Sequence, residues 1–596
     1  MALWVPRGLE LDRFVTVDER LWLVRSANFY CALSEGDLEA TFQSEHPGVT
    51  TMYAGMLGFL WQAPTYREDC VSTLEPGAFE ELLQQQGRTP VSLLAAGRFF
   101  VVLEVVLALG VAFLYARRLL GLLPSTVGFL LIAFDPFFVA HTRLLHLDGL
   151  LSSFMLLSVL AFLSYLQDRR LRDLIVSGVA AGLSWLTKSP GLFLFPFMGL
   201  LLVWELAKGF KPGDRVSVIF KAARQAFLSI SGWLAVGSFT VLLLWPAMWT
   251  DPIDVLGKIF YKATHDAQVG HKFPIFFNGV VIPNGRLGNE FFYFYPLTYL
   301  WRITPWVLLG LLFVLLGLLW LRLPSRKRQA VSALVVFGIL FTVMVSLGTK
   351  KFDRYMLPIY PVLDLAAAAG WVLAARWLRD LMIARYDWVR LSKWWLLPLS
   401  LMGMAQMAMA FSTFPYYLSY YNPLMGGAAK VPDVMMIGWG EGLDQAARYL
   451  NAKPDVGDLQ VFSWSDPACF SYFFTGMSKD TPTEDEFILD PEIVDEFFDA
   501  DYLSVYIQQQ QIRLPAQLLD YLALQTPEHS IWIDGLEYVR IYKLDEDLSA
   551  APTYENVNAL LGQMIYLEGY DLPEHEFSPG EVVSIDLSWR VARAPG

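Results

Sequence analysis

The sequence predicts an α-helical multi-pass membrane protein with a soluble α/β domain towards its C-terminal end. Ten apolar segments point to this, at roughly 99–119, 124–142, 147–166, 174–188, 190–207, 226–248, 304–322, 329–348, 356–376 and 395–415. Most approach the ~20 residues that a bilayer core requires of a helix. Basic clusters follow every second segment: Arg117 and Arg118, Arg169 to Arg172, Lys208 to Arg224, Arg322 to Arg328, and Arg376 to Lys393. Acidic residues gather elsewhere, since residues 431–596 hold 30 Asp/Glu against 8 Lys/Arg, net −22, while the first 430 are net +9. A chain that is 55% hydrophobic also exceeds the roughly 45–50% apolar content of soluble domains. Nothing in this charge pattern suggests a nucleic-acid partner.

The basic loops orient the spans, because Lys and Arg are retained on the cytoplasmic side. Residues 1–98, the short loops at 143–146, 188–190 and 349–355, the long loop 249–303, and everything after about 416 then lie outside the cytoplasm. Val49 to Trp61 is apolar but only about 13 residues long, too short for a simple span, and reads as an interfacial or re-entrant helix within the first loop. No span or signal peptide precedes that loop, so the pattern predicts a further helix upstream of Met1. Lys188-Ser189-Pro190-Gly191 stops a helix between the fourth and fifth spans. Cys31, Cys70 and Cys469 form no CxxC metal motif; Cys31 and Cys70 can pair if both lie outside the cell.

The residue types able to do chemistry fall on the non-cytoplasmic face. Asp18-Glu19 precedes an amphipathic run, where the pair suits helix capping and equally a general base above a membrane cavity. Glu45-His46-Pro47 suits a helix start and also a metal or phosphate site. His146-Leu147-Asp148 opens a helix, where Asp148 complements the dipole or serves a site, since ionisable residues at membrane depth default to function. Lys188 and the run Lys350-Lys351-Phe352-Asp353-Arg354-Tyr355 place cations where the charge rule does not expect them. Such cations suit a phosphate or ordinary anionic headgroups. His265 and His271 lie in the aromatic-rich loop 249–303, whose length points to function.

This ordered set resembles the C-type glycosyltransferases of the protein O-mannosyltransferase and aminoarabinose transferase superfamily, on its bacterial branch. The resemblance rests on Asp18-Glu19, Glu45-His46-Pro47, Leu147-Asp148-Gly149, Thr187-Lys188-Ser189-Pro190 and Arg354-Tyr355-Met356-Leu357-Pro358. Tyr416 to Pro423 and Gly438-Trp439-Gly440-Glu441-Gly442 add to it. It implies a polyprenyl-phosphate sugar donor and a protein, lipid or glycan acceptor. Asp18 would be the base, with Glu19 and Asp148 beside it. Lys188, Lys351, Arg354 and Tyr355 would hold the donor phosphate. Glu45, His46, His146 and His271 would contact substrate. No cofactor is required by this set; the aminoarabinose enzymes imply a divalent metal (Zn, Mg or Mn) through Glu45 and His271. The expected place is the plasma membrane, with site and C-terminal domain extracytoplasmic, and the expected activity is a mannosyltransferase-like transfer with inversion. A lipid-linked sugar transporter or a silent binding homologue is the alternative.

Four regions follow: 1–98 as first loop, 99–415 as membrane core, 416–545 as α/β domain and 546–596 as the start of a β-sandwich, cut short. Within the α/β domain, Leu459 to Trp464 and Tyr502 to Ile507 read as strands and Leu514 to Leu524 as a helix. Ile531 to Ile533 and Glu537 to Lys543 form a hairpin around Asp534-Gly535. Gln563 to Tyr570 and Val582 to Arg590 read as the first two sandwich strands, joined through Ser578-Pro579-Gly580.

Overall fold

The computed structural model describes the chain except residues 69, 210–215, 284, 321–324, 385–392, 483–492, 494–495, 498, 513, 515–517, 519–521, 523–524, 545–554, 562–564, 572–585 and 592–596. Among the described residues, seven helices are long and apolar enough to cross a membrane, or eight if one bent pair counts as a single span. Leu147–Asp168 is the central one, with its apolar window wholly inside the protein. Its neighbours Pro90–Leu120 and Leu171–Thr187 pack along it.

Three expected spans form as shorter pieces. The segment 124–142 breaks into Leu122–Ala133 and Pro136–His141. Pro136 has no N–H to continue the ladder, and the Asp135 carboxylate instead caps the new helix, accepting from the Phe138 amide at 2.7 Å. The segment 174–188 forms Leu171–Thr187, 17 residues, stopped ahead of Pro190. The segment 304–322 forms Pro305–Trp320, bent by 115° from the preceding Asn289–Arg302 stretch.

Residues 49–61 form a helix as expected, Val49–Gln62. It lies against Pro90–Leu120 with almost no separation. A Cβ at Gly58 would meet the Gly97 backbone nitrogen at 2.6 Å, so both positions hold glycine for close approach. Glu19–Glu35 packs on the same helix, and Cys31 and Cys70 are disulfide-bonded beside it.

The loop 249–303 contains a helix, Pro252–Gln268, and a short hairpin of β1 (Ile275–Phe277) and β2 (Val280–Ile282). The C-terminal domain holds β3 (Gln460–Ser463), β4 (Met477–Asp480), β5 (Tyr502–Tyr506), β6 (His529–Ile533) and β7 (Leu536–Lys543). Their order is β4-β3-β5-β7-β6, with β3 parallel to β4 and β5 and the rest antiparallel. The expected strands and the Asp534-Gly535 hairpin are all present, and most of the expected helix 514–524 lies outside the described residues. Beyond it, β8 (Glu555–Leu561), β9 (Ile565–Asp571) and β10 (Asp586–Val591) make a three-stranded antiparallel sheet. The sequence reading found β9 and β10 and missed β8, whose polar stretch Glu555-Asn556-Val557-Asn558 hides the alternation. The turn at 578–580 lies outside the described residues.

Candidate functional site

One cavity of ≈ 910 Å³ opens where the first loop, the ends of the membrane helices and the C-terminal domain meet. Asp18, His46, His146, Lys188, His271, Lys351, Arg354 and Tyr355 all line it. Residues separated by more than three hundred positions in the chain therefore share one wall.

Its floor is a ring of alternating charge. Asp18 sits at the N-terminal end of Glu19–Glu35, and its Oδ2 accepts from the Arg354 guanidinium at 2.9 Å. His146 Nε2 lies 3.4 Å from the same oxygen, and His146 Nδ1 lies 3.4 Å from Asp148 Oδ2. Lys188 donates to Asp148 Oδ1 at 2.7 Å, and Arg354 Nε stands 3.7 Å from Asp148 Oδ2. Local folding puts each group there. His146 and Asp148 flank the start of Leu147–Asp168, Lys188 ends Leu171–Thr187, and Arg354 lies in the one-turn helix Asp353–Met356.

The electrostatics of this ring are balanced. Burial opposes the Asp18 charge, but Arg354, His146 and Lys188 outweigh it and hold the carboxyl well below the usual carboxylate range. Burial likewise opposes the Arg354 charge, and Asp18, Tyr355 and Asp148 raise its proton affinity above the ordinary value. Asp148 Oδ2, Arg354 Nε and His146 Nδ1 are buried with no hydrogen-bond partner among the described residues. The two nitrogens stand at ion-pair distance from Asp148 Oδ2, 3.4 Å for His146 Nδ1 and 3.7 Å for Arg354 Nε, without hydrogen-bond geometry. Tyr355 carries the Lys188 ammonium over its ring at 4.7 Å.

Other expected residues take different roles. Glu19 faces away from the cavity and is wholly buried. Its carboxylate accepts from Arg98 at 2.5 and 2.7 Å, from the Thr16 amide and hydroxyl at 3.0 Å, and from the Leu145 amide at 2.8 Å. Although burial opposes its charge, this set of donors holds it ionised and below its ordinary pKa. Glu19 therefore ties the first loop to the turn before Leu147. Lys351 reaches the cavity wall, yet its ammonium donates to the carbonyls of Leu287 (3.1 Å), Ser346 (3.0 Å) and Gly348. It closes the end of Ser325–Ser346, a cap rather than a phosphate contact.

Glu45 and His271, expected together around a metal, have different partners. Glu45 pairs with Lys262 at 3.7 Å, while the His271 ring packs on Phe352 at 4.2 Å with Nε2 3.2 Å from the Lys351 carbonyl oxygen. Among the described residues no group of three or more His, Cys, Asp or Glu side chains is placed to hold a metal ion. Conversely, the sequence reading left Trp439 and Arg302 without a role. Trp439 lies over the Arg354 guanidinium, and Arg302 pairs with Asp353 at 2.9 Å on the same wall. A conspicuous Gly-Trp-Gly-Glu-Gly run was the available signal for Trp439.

Residues 92–212 match the family described as Dolichyl-phosphate-mannose-protein mannosyltransferase. No curated protein sequence matches the chain. Among solved structures, ArnT from Cupriavidus metallidurans bound to undecaprenyl phosphate aligns over 91% of this chain and 96% of its own, at 15% identity and TM-score 0.46. The archaeal oligosaccharyltransferase AglB from Archaeoglobus fulgidus, in complex with an inhibitory peptide and a dolichol-phosphate, aligns over 85% and 69%, at 13% identity and TM-score 0.41. The S. cerevisiae protein O-mannosyltransferase Pmt1-Pmt2 complex bound to the sugar donor aligns over 43% and 32%, at 20% identity and TM-score 0.32. Over residues 92–212, the stretch that carries His146, Asp148 and Lys188, the chain is similar to the family described as Dolichyl-phosphate-mannose-protein mannosyltransferase.

Proposed function

We propose that this membrane protein is a glycosyltransferase that moves a sugar from a polyprenyl-phosphate donor to an acceptor hydroxyl on the extracytoplasmic face. The observation that carries this reading is the ring itself: two carboxylates, Asp18 and Asp148, alternate with two cations, Lys188 and Arg354, at the mouth of membrane helices. A carboxylate that stays ionised can take a proton, and cations beside it can hold a phosphate as it leaves.

The acceptor oxygen forms the new bond to the anomeric carbon while its proton passes to Asp18. The bond from that carbon to the phosphate oxygen breaks, and its electron pair leaves on the phosphate. Arg354 and Lys188 stabilise that charge. Attack opposite the leaving oxygen inverts the anomeric carbon. Asp148 holds Lys188 and, through His146, supports Asp18. No step is routed through a metal. The acceptor is a hydroxyl of a protein Ser or Thr, a lipid or a glycan, and the transferred group a hexose or pentose; the plasma membrane is the proposed location.

The test is transfer of label from a panel of polyprenyl-phosphate sugars in membranes containing the wild type or Asp18→Asn. Label should reach an acceptor with the wild type only. Equal transfer by Asp18→Asn would remove the base from this account.

A further inference from the structure

The cavity is not built by the membrane core alone. Its outer wall is formed by Gly438, Trp439, Glu441, Trp464 and Gln508, all from the region after the last membrane helix. The run Gly438-Trp439-Gly440-Glu441-Gly442 carries three glycines at φ +95°, +119° and +89°, a region that residues with a Cβ rarely enter. Two of these positions are also sterically closed. A Cβ at Gly440 would sit 2.1 Å from the Val15 carbonyl oxygen of the first loop, and one at Gly438 would meet the Tyr506 ring at 2.5 Å. The loop is therefore pressed between the first loop and the sheet of the C-terminal domain.

Glu441 braces it from within. Its Oε2 accepts from the Trp439 amide at 2.6 Å and from the Tyr506 hydroxyl at 3.1 Å, while the Tyr506 hydroxyl accepts from the Gly440 amide at 3.0 Å. Trp464 stacks on the Tyr506 ring at 4.7 Å and 10°, fixing that hydroxyl in turn. What this bracing presents is the Trp439 indole, 4.3 Å from the Arg354 guanidinium carbon and edge-on to His146 at 5.2 Å. Phe352 also lies 4.5 Å from that carbon. Arg354 thus meets aromatic faces from two different parts of the chain, only one of them in the membrane core.

We propose that Trp439 is a positioning residue: the C-terminal domain, through its glycine-held loop, uses the indole to hold the Arg354 guanidinium on Asp18 and beside the donor phosphate. This rests on the glycosyltransferase reading above and adds that the membrane core is incomplete without the docked domain. A guanidinium on a long side chain has many orientations, and a cation–π contact in a desolvated place selects one. With the indole gone, Arg354 drifts and Asp18 loses its closest cation, while Lys188, His146 and the Arg25 guanidinium of the adjoining helix still face it. The acidic limb of the activity profile then moves to higher pH, because weaker pairing raises the proton affinity of a carboxylate.

The experiment measures transfer, its pH profile and polyprenyl-phosphate binding for full-length wild type, Trp439→Phe, Trp439→Leu, Arg354→Met and the double variant Trp439→Leu/Arg354→Met. Thermal unfolding checks that each is folded. Trp439→Leu should weaken transfer and phosphate binding about 2- to 30-fold, the range cation–π contacts span from exposed to desolvated sites when converted to rates. Its acidic limb should rise, Trp439→Phe should recover part of the loss, and the double variant should bind no worse than Arg354→Met, since both changes remove one contact. The proposal is overturned if Trp439→Leu behaves as wild type, if Phe restores no more than Leu, or if the Leu change weakens binding further in the Arg354→Met background. Absence of transfer by wild type from every donor would instead overturn the glycosyltransferase reading, and the binding cycle would still decide the role of Trp439.

Discussion

Asp18 and Glu19 are adjacent carboxylates with opposite fates. Successive positions on a helix point about 100° apart, so when Asp18 meets the cavity, Glu19 is turned towards Arg98 and the turn at Leu145. Removing one partner of a buried ion pair leaves the other charge uncompensated and costs about 3–5 kcal/mol. Glu19→Ala should therefore lower the thermal unfolding midpoint in detergent strongly, whereas Asp18→Asn, which leaves Arg354 beside Asp148, should lower it less and abolish transfer. A folded Glu19→Ala protein with normal stability and selectively lost catalysis would return Glu19 to the chemistry. Lys351 differs in the same way from Arg354. Its ammonium is held by three carbonyls, and bonds to charged groups contribute about 1.5–3 kcal/mol each. Lys351→Met should destabilise the fold and leave donor affinity unchanged, as a binding titration would show. The sequence could single out Lys188 and Arg354 because each breaks the charge pattern of its loop, and Asp18-Glu19 because the pair precedes an amphipathic run. It could not separate Asp18 from Glu19, or Arg354 from Lys351, because that difference lies in which way a side chain turns.

Among the elements, the first loop is tied by a covalent cross-link. Cys31 lies in Glu19–Glu35 and bonds Cys70 across a separation of 39 residues, with their Cα atoms 5.9 Å apart. Closing a loop of that size stabilises a fold by about 2–4 kcal/mol. Replacing both cysteines by serine should lower the unfolding midpoint without moving the Asp18–Arg354 contact, so residual transfer at low temperature should match wild type. Disproportionate loss of transfer would mean that the disulfide orders the site directly. The short helix Val49–Gln62 was legible from its length; the break at Asp135-Pro136, inside a segment expected to span unbroken, was not. The disulfide was not, since spacing alone does not bring two cysteines within reach. Strand β8 was not legible either, because its asparagines break the alternation on which strand reading depends.

At the scale of the molecule, the charge asymmetry in the sequence corresponds to a division of labour. The basic membrane core brings Asp148, Lys188 and Arg354 to one end, and the acidic C-terminal domain closes the cavity above them. The orientation inferred from the basic loops has a direct check. Lys272 and Arg326 are exposed on loops assigned to opposite faces, and the native cysteines are bonded or buried. Lys272→Cys should label with a membrane-impermeant maleimide in intact cells, and Arg326→Cys only after permeabilisation; the reverse pattern would invert the topology. Membrane class was readable because apolar spans act over many residues at once. The contribution of the C-terminal domain was not, because Trp439 acts through a contact 85 positions from Arg354 that carries no charge signal of its own.

The central claim is that Asp18, held ionised by Arg354, is the base for transfer from a polyprenyl-phosphate sugar. Transfer of radiolabel from such donors by membranes containing wild type or Asp18→Asn tests it most directly. The account predicts labelled acceptor with wild type, none with Asp18→Asn, and unimpaired lipid-phosphate binding by the variant. Full transfer by Asp18→Asn, or no transfer by wild type from any donor while the lipid phosphate still binds, would contradict it.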